Sequence, residues 1–188
     1  MIRVVICDDH WIVRQGLKQT LADAPDLVLA GEASDGPSCV QRVRQGGVDV
    51  LLLDIAMPVR DGLDVLKQLK AEFPRLPVLM LSTYPDKQYA VRCLRLGAAG
   101  YLNKSSDPED LLAAIRKAAG GGVYVTPAIA EALATSISEV AGKQAHESLS
   151  HREYQVFRLI AQGLSVGQIA EQLALSPNTV STYRARIL

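Results

Sequence analysis

Four short stretches of this chain end in side chains suited to phosphoryl or metal chemistry. Leu51, Leu52 and Leu53 form an apolar run that stops abruptly at Asp54. Such a run reads as a strand buried on both faces. An acid at its end lies at the carboxyl edge of a parallel sheet, where doubly wound folds hold their chemistry. Residues 3–7 likewise end in Asp8 and Asp9, residues 77–81 end in the hydroxyls of Ser82 and Thr83, and residues 99–102 are followed by Lys104. Right-handed crossovers return every strand of such a sheet in one direction, so all four ends share one edge. Three acids, a hydroxyl and an ammonium then converge, with Asp54 as nucleophile or ligand. Taken singly, each has a plainer explanation: Asp54 as the cap of a turn, Lys104 as a surface lysine, Ser82 as a strand-ending hydroxyl.

The elements that must position these residues follow from hydrophobic spacing. Ile12, Val13, Gly16, Leu17 and Leu21 keep helical spacing, residues 27–33 form a strand, and Val40 and Val43 lie on a helix. The central strand covers residues 48–53. Leu63, Val65, Leu66 and Leu69 mark a helix stopped before Pro74, and Val91, Leu94 and Leu96 mark another. Leu111, Leu112 and Ile115 belong to a last helix opened by Asp107 and Pro108. Five strands alternating with five helices give an α/β class with a five-stranded parallel, doubly wound sheet.

Gly120, Gly121 and Gly122 break the alternation and close a first domain, residues 1–119. Residues 120–148 read as a linker: an extended 123–125, a short helix from Thr126 and Pro127 through Ile129 and Leu133, and a polar 142–148. From Leu149 the pattern is helical only, giving a small all-α domain over 149–188. Ser150 with Glu153 makes a capping box for a helix carrying Val156, Phe157, Leu159 and Ile160 and ending at Gly163. Ser165 opens a second helix with Ile169, Ala170 and Leu173, and Ser176 with Pro177 opens a third. A short turn between the last two suggests a helix-turn-helix.

Composition sets the bounds. A chain of 188 residues with 48% hydrophobic content can build two proper cores. There is no apolar run long enough to span a bilayer and no basic-then-apolar leader at Met1, so a soluble cytoplasmic protein is expected. Cys7, Cys39 and Cys93 show neither pair nor metal spacing and read as free thiols in a reducing compartment. Fifteen basic and fifteen acidic residues precede Gly120 and five of each follow it, so overall charge says nothing about nucleic acid. The third C-terminal helix does: it carries Arg184 and Arg186 with no acid, plus Asn178, Thr179, Ser181, Thr182 and Tyr183. Arginine can read guanine bidentately, while hydroxyls and helix-start amides mostly grip phosphate. The plainer alternative is the solvated face of a small bundle.

The runs ICDDHWIVRQGL, LLLDIAMPVRDGLDVL, LMLSTY, GAAGYLNKS and LSHREYQVFRLIAQGLSVGQIAEQLALSPNTVSTYRARIL together resemble a two-component response regulator of the NarL/FixJ type. The resemblance covers nearly everything but the linker, and the ordered co-occurrence of several motifs makes it specific. It implies a flavodoxin-like receiver domain joined to a LuxR-type helix-turn-helix. Asp54 becomes the phosphoacceptor. Mg²⁺ is held by Asp8, Asp9, Asp54 and the backbone carbonyl of Ala56; Lys104 and Ser82 stabilise the phosphoryl group, and the Tyr101 ring turns inward on phosphorylation. Ser176, Asn178, Thr179, Ser181, Thr182, Tyr183, Arg184 and Arg186 face DNA. The partners implied are a sensor histidine kinase, promoter DNA, a second copy of the chain on activation and RNA polymerase, with no membrane.

The chemistry suits these residues independently of the family. Phosphoryl transfer needs positioning and charge neutralisation, and a carboxylate can form an aspartyl phosphate beside a divalent cation. His10 and Trp11 are explained by a helix start, and Thr83 with Tyr84 could tune phosphate lifetime. The chain departs from the family where Ser105 stands in place of a frequent proline, and where Ser181 replaces a frequent lysine, which weakens the phosphate grip. LuxR-type units usually carry a fourth helix after the third, where this sequence stops at Leu188, so residues 1–188 alone are expected to bind DNA poorly. A Mg²⁺-dependent phosphohydrolase is the competing class, but it generally needs an Asp two residues after the nucleophile, and position 56 is Ala. The intact acid, hydroxyl and lysine set gives no support to a regulator that works without phosphate.

Overall fold

The computed structural model describes residues 1–57, 60–83, 87–138, 149, 151–173 and 175–187. The capping box at Ser150, the polar stretch 142–148, Tyr84 and Leu188 lie outside the described residues. The chain separates into two compact units, residues 1–142 and 143–188.

In the first unit, β1 (Ile2–Cys7), β2 (Leu27–Ala33), β3 (Val50–Asp54), β4 (Val78–Ser82) and β5 (Gly100–Asn103) form one parallel sheet in the order β2-β1-β3-β4-β5. The helices between and after them are α1 (Trp11–Ala22), α2 (Gly36–Arg44), α3 (Gly62–Glu72), α4 (Lys87–Arg95) and α5 (Pro108–Ala119). This is the doubly wound α/β arrangement read from the alternation, with the order reversing beside β1 and β3. The crevice at that reversal is where such sheets bind ligands.

Strand alternation explains the two layers. Val4, Ile6, Val50, Leu52, Leu79 and Leu81 pack on one face with Leu21 of α1 and Leu111, Ala114, Ile115 and Ala118 of α5. The intervening Val5, Cys7, Leu51, Leu53 and Met80 are equally buried on the other face. There α2 lies against β1 and β2, and α4 against β5. With both faces covered, β1, β3 and β4 must be apolar almost throughout, which is why they read as unbroken runs.

The strands end slightly later than their apolar runs suggest. Asp54 still pairs in register with Leu81, and Ser82 with Asn103, so both functional residues occupy the last rung of the ladder. A polar residue can close an apolar strand because its backbone bonds continue while its side chain passes the sheet edge. Helix entries also differ in detail. The Asp35 and Asp61 carboxylates accept from Ser38 N–H and Leu63 N–H and so cap α2 and α3, whereas Asp107 precedes α5 without a side-chain cap. Beyond α5, Tyr124 forms a parallel bridge to Gly100, and α6 (Pro127–Ser138) packs against α4.

The second unit contains α7 (His151–Ala161), α8 (Val166–Gln172) and α9 (Pro177–Ile187). Gly163, at φ 85°, ends α7: its N–H donates to Ile160 O and that of Leu164 to Leu159 O, a pairing that satisfies the last carbonyls and favours glycine at the left-handed position. Ser165 and Gln168 form a reciprocal capping box that starts α8. Val156, Leu159, Ile169, Ala170, Leu173 and Val180 form the core of this unit. Among the described residues no helix is long and apolar enough to cross a membrane.

Candidate functional site

At the carboxyl edge of the sheet, the acids at the ends of β1 and β3 meet the lysine that follows β5. Lys104 Nζ lies 2.7 Å from Asp8 Oδ2 and 2.9 Å from Asp54 Oδ2. All three side chains are withdrawn from solvent, at 7%, 0% and 1% exposure. The backbone fixes the lysine, since Lys104 N–H donates to Ser82 O at 2.7 Å and ties the end of β5 to the end of β4. Asp8 and Asp54 are anchored through their other oxygens: His10 N–H donates to Asp8 Oδ1 at 2.8 Å and Ala56 N–H to Asp54 Oδ1 at 3.2 Å.

The electrostatics are those of a strained charge cluster. Burial pushes the Asp54 carboxyl above its ordinary range, Lys104 pulls it back, and the nearby Asp8 charge raises it again. Asp9 stands at the rim, with its Oδ1 2.8 Å from His10 Nδ1. Three carboxylates against one ammonium leave excess negative charge. Asp8 Oδ2, Asp9 Oδ1 and Asp54 Oδ2 are buried atoms with no aligned hydrogen bond; the first and last face the Lys104 ammonium, and Asp9 Oδ1 faces the His10 imidazole. One donor atom from each of Asp8, Asp9, His10 and Asp54 falls within 4.8 Å of the others, spacing that could hold a metal ion. The donors are mainly carboxylate oxygens, which suit a hard divalent cation such as Mg²⁺.

The other residues expected here fall as follows. Ser82 is 3% exposed at the end of β4, and Tyr101 is 4% exposed on β5, so the inward turn expected of its ring starts from a ring already buried here. Ala56 enters through its N–H to Asp54, on the loop after β3.

The sequence reading missed three contributors. Gly62, the first residue of α3, has no room for a side chain: a Cβ there would sit 2.1 Å from the carbonyl oxygen of Asp54. Its N–H donates to Ile55 O at 2.9 Å and folds α3 back onto the acceptor strand. The signal was the Asp-Gly pair after β3, read only as part of a motif. Arg14 of α1 donates to Asp8 O at 2.8 Å and pairs with Glu32 on β2, holding the acid loop from behind. His10, set aside as a helix-start residue, turns its imidazole to both acids of the pair.

In the second unit, Ser176, Asn178, Ser181, Thr182, Arg184 and Arg186 are exposed, while Thr179 and Tyr183 are half-buried. Tyr183 packs against the unit's core. Several hydroxyls already have partners: Ser176 Oγ accepts from Thr179 N–H at 3.1 Å and lies 2.8 Å from Thr179 Oγ1, and Thr182 Oγ1 donates to Asn178 O at 3.0 Å. The groups left to reach outward are mainly Asn178, Ser181, Arg184 and Arg186. Arg186 also lies 3.8 Å from Glu153 of α7.

Comparison with known proteins places both units. Residues 4–116 match the family described as response regulator receiver domain, and residues 147–188 match bacterial regulatory proteins of the luxR family. The chain belongs to the NarL/FixJ family of two-component response regulators. Relatives of this response regulator include the response regulator UvrY of Escherichia coli K12, 36% identical over 188 residues that span this whole chain and 86% of UvrY. The transcriptional regulatory protein UhpA of the same strain is 39% identical, covering all of this chain and 90% of UhpA. Among solved structures, RcsB from Salmonella enterica serovar Typhimurium, bound to a promoter in the presence of phosphomimetic BeF3⁻, is similar with a TM-score of 0.64 and 27% identity, over 99% of this chain and 90% of that one. The regulator is therefore a DNA-binding two-component response regulator that joins a receiver to a LuxR-type helix-turn-helix, a transcription regulator and not a typical enzyme.

Proposed function

We propose that Asp54 accepts a phosphoryl group from a sensor histidine kinase with Mg²⁺ as cofactor, and that the acyl phosphate governs homodimerisation and the engagement of promoter DNA. The observation that carries the reading is the buried Lys104 ammonium held between Asp8 and Asp54, 2.7 and 2.9 Å away, at the carboxyl edge of the sheet. In the transfer, the P–N bond to the kinase imidazole breaks as a P–O bond to an Asp54 carboxylate oxygen forms. The imidazole leaves with the bonding pair. The transition state is loose and spreads charge over three equatorial oxygens, so the residues act by placement and neutralisation.

Asp54 is the nucleophile. Asp8, Asp9, Asp54 and the carbonyl of Ala56 would hold Mg²⁺, and the bound ion supplies positive charge between two anions that otherwise repel. Lys104 passes from the Asp54 carboxylate to a phosphoryl oxygen, and Ser82 donates its hydroxyl to another. Ser82 stands at the end of β4, beside β5 with Tyr101, so a phosphate at Asp54 biases the face those strands carry, a local charge change with a wider readout. Residues 1–119 serve as the receiver, 120–148 as the linker and 149–188 as the DNA-binding part. In the last, Asn178, Ser181, Arg184 and Arg186 lead the contact with the major groove, with Ser176, Thr179, Thr182 and Tyr183 shaping that helix and its start. A dimer doubles the phosphate contacts and reads paired half-sites, and RNA polymerase is the further partner of such a complex.

The test is incubation with a low-molecular-weight acyl phosphate and Mg²⁺, followed by intact-mass analysis. One phosphate adduct is expected on the wild type and none on Asp54→Asn. An adduct of equal yield on the variant contradicts the assignment.

A further inference from the structure

We propose that His10 adds a nitrogen donor to the acidic pocket and makes it a site for a first-row transition divalent cation, bound in preference to Mg²⁺. This rests on the reading above that the pocket holds a divalent cation. His10 precedes α1 in an extended conformation and its side chain makes no capping bond, so the imidazole has no structural duty at the helix start. It is turned instead toward the acids, with Nδ1 2.8 Å from Asp9 Oδ1 and 3.4 Å from Asp8 Oδ1. Two neighbouring donors on an octahedral ion, each about 2.1 Å from it, stand about 3.0 Å apart, so these separations are those of co-ligands.

Lys104 reinforces the division of labour. Its ammonium takes Asp8 Oδ2 and Asp54 Oδ2, which leaves Asp8 Oδ1 and Asp9 Oδ1 on the side of the imidazole. With its side chain 60% exposed, His10 is reachable by an ion from solvent. A hard oxygen set suits Mg²⁺, but an imidazole among carboxylates shifts the preference toward ions later in the first-row series. The plainer arrangement is an Nδ1–H donating to Asp9 and nothing more. The two are separable because a hydrogen bond survives replacement by another N–H donor, whereas ligation does not.

Trp11, the only tryptophan and 64% exposed, immediately follows His10 and reports on the site. Ni²⁺ and Mg²⁺ would each be titrated into the full chain at about pH 8, where imidazoles are neutral, by calorimetry and by Trp11 fluorescence, which Ni²⁺ quenches. His10→Asn, which keeps an N–H donor near Nδ1, and His10→Ala are the variants. Both are expected to lose about tenfold or more in Ni²⁺ affinity and less than about twofold in Mg²⁺ affinity. Thermal melting of the asparagine variant with the wild type ties the loss to the ligand and not to the fold. Unchanged Ni²⁺ affinity, or an equal loss for both ions, overturns the proposal while leaving the Mg²⁺ site standing. Failure of both ions to bind the wild type overturns both readings.

Discussion

The receiver pocket and the third helix of the C-terminal unit carry charge in opposite ways. Asp8 and Asp54 are fully buried around a lysine that is 7% exposed, while Arg186 on α9 is 64% exposed and lies 3.8 Å from Glu153. In the pocket every charge depends on a partner, because an uncompensated charge in a low-dielectric site is costly. On α9 a charge costs the fold little and is available to an outside ligand. A substitution in the pocket therefore strikes stability and chemistry together, and one on α9 strikes binding alone.

The sharpest way to break this contrast is Lys104→Met. It leaves two buried carboxylates facing each other, and a loss of about 3 kcal/mol in urea unfolding at neutral pH is expected. Burial already raises the Asp54 carboxyl, so the destabilising form is the ionised one. Stability should accordingly recover as the pH falls through the raised value and the acids take up protons, and should be lost again as the pH rises. A variant as stable as the wild type at neutral pH would show that the lysine does not offset the acid cluster.

Gly62→Ala comes next. A methyl placed 2.1 Å from Asp54 O must displace the acceptor strand or the start of α3, with an expected cost of about 2 kcal/mol and slower formation of the phosphate adduct. Arg184→Ala tests the other region: stability should change by less than about 0.5 kcal/mol, while the slope of log affinity for DNA against log salt falls by about 1. Equal damage to unfolding and to binding would erase the distinction between the two regions.

The smallest effect belongs to a surface pair far from either. Arg116 holds the exposed Asp26 carboxyl at about 2, below its ordinary 3.8. That pairing stabilises above the ordinary carboxylate range and is lost as the pH falls toward 2. Arg116→Ala should flatten the acid limb of the urea-unfolding stability curve slightly in that window and lower the plateau above it, neutrality included, by the same small amount.

Much of the pocket was legible because burial and chemistry leave coincident marks: an apolar strand that stops at Asp54, or at Asp8 and Asp9, states both where the chain goes inside and where it ends. The helix-turn-helix was legible through Ser165, Gly163 and Ser176, whose cap and turn roles are local. Contacts that run sideways between elements were not. Gly62 looks like any helix-start glycine until the backbone of Asp54 is set against it, and Arg14 gains its meaning only when α1 lies over the Asp8 carbonyl. On α9 and the serine before it the sequence offered eight polar candidates, but the bond from Thr179 to Ser176 and the packing of Tyr183 are set by three-dimensional neighbours and redirect those groups inward.

The most direct measurement locates the phosphate on the chain. After reaction with an acyl phosphate and Mg²⁺, borohydride reduction converts an aspartyl phosphate to homoserine, which peptide mass spectrometry can place. Homoserine is expected at position 54 alone, and is lost when Lys104 is replaced by methionine. Homoserine at position 8 or 9, or a stable phosphate on a hydroxyl that borohydride leaves untouched, would contradict it.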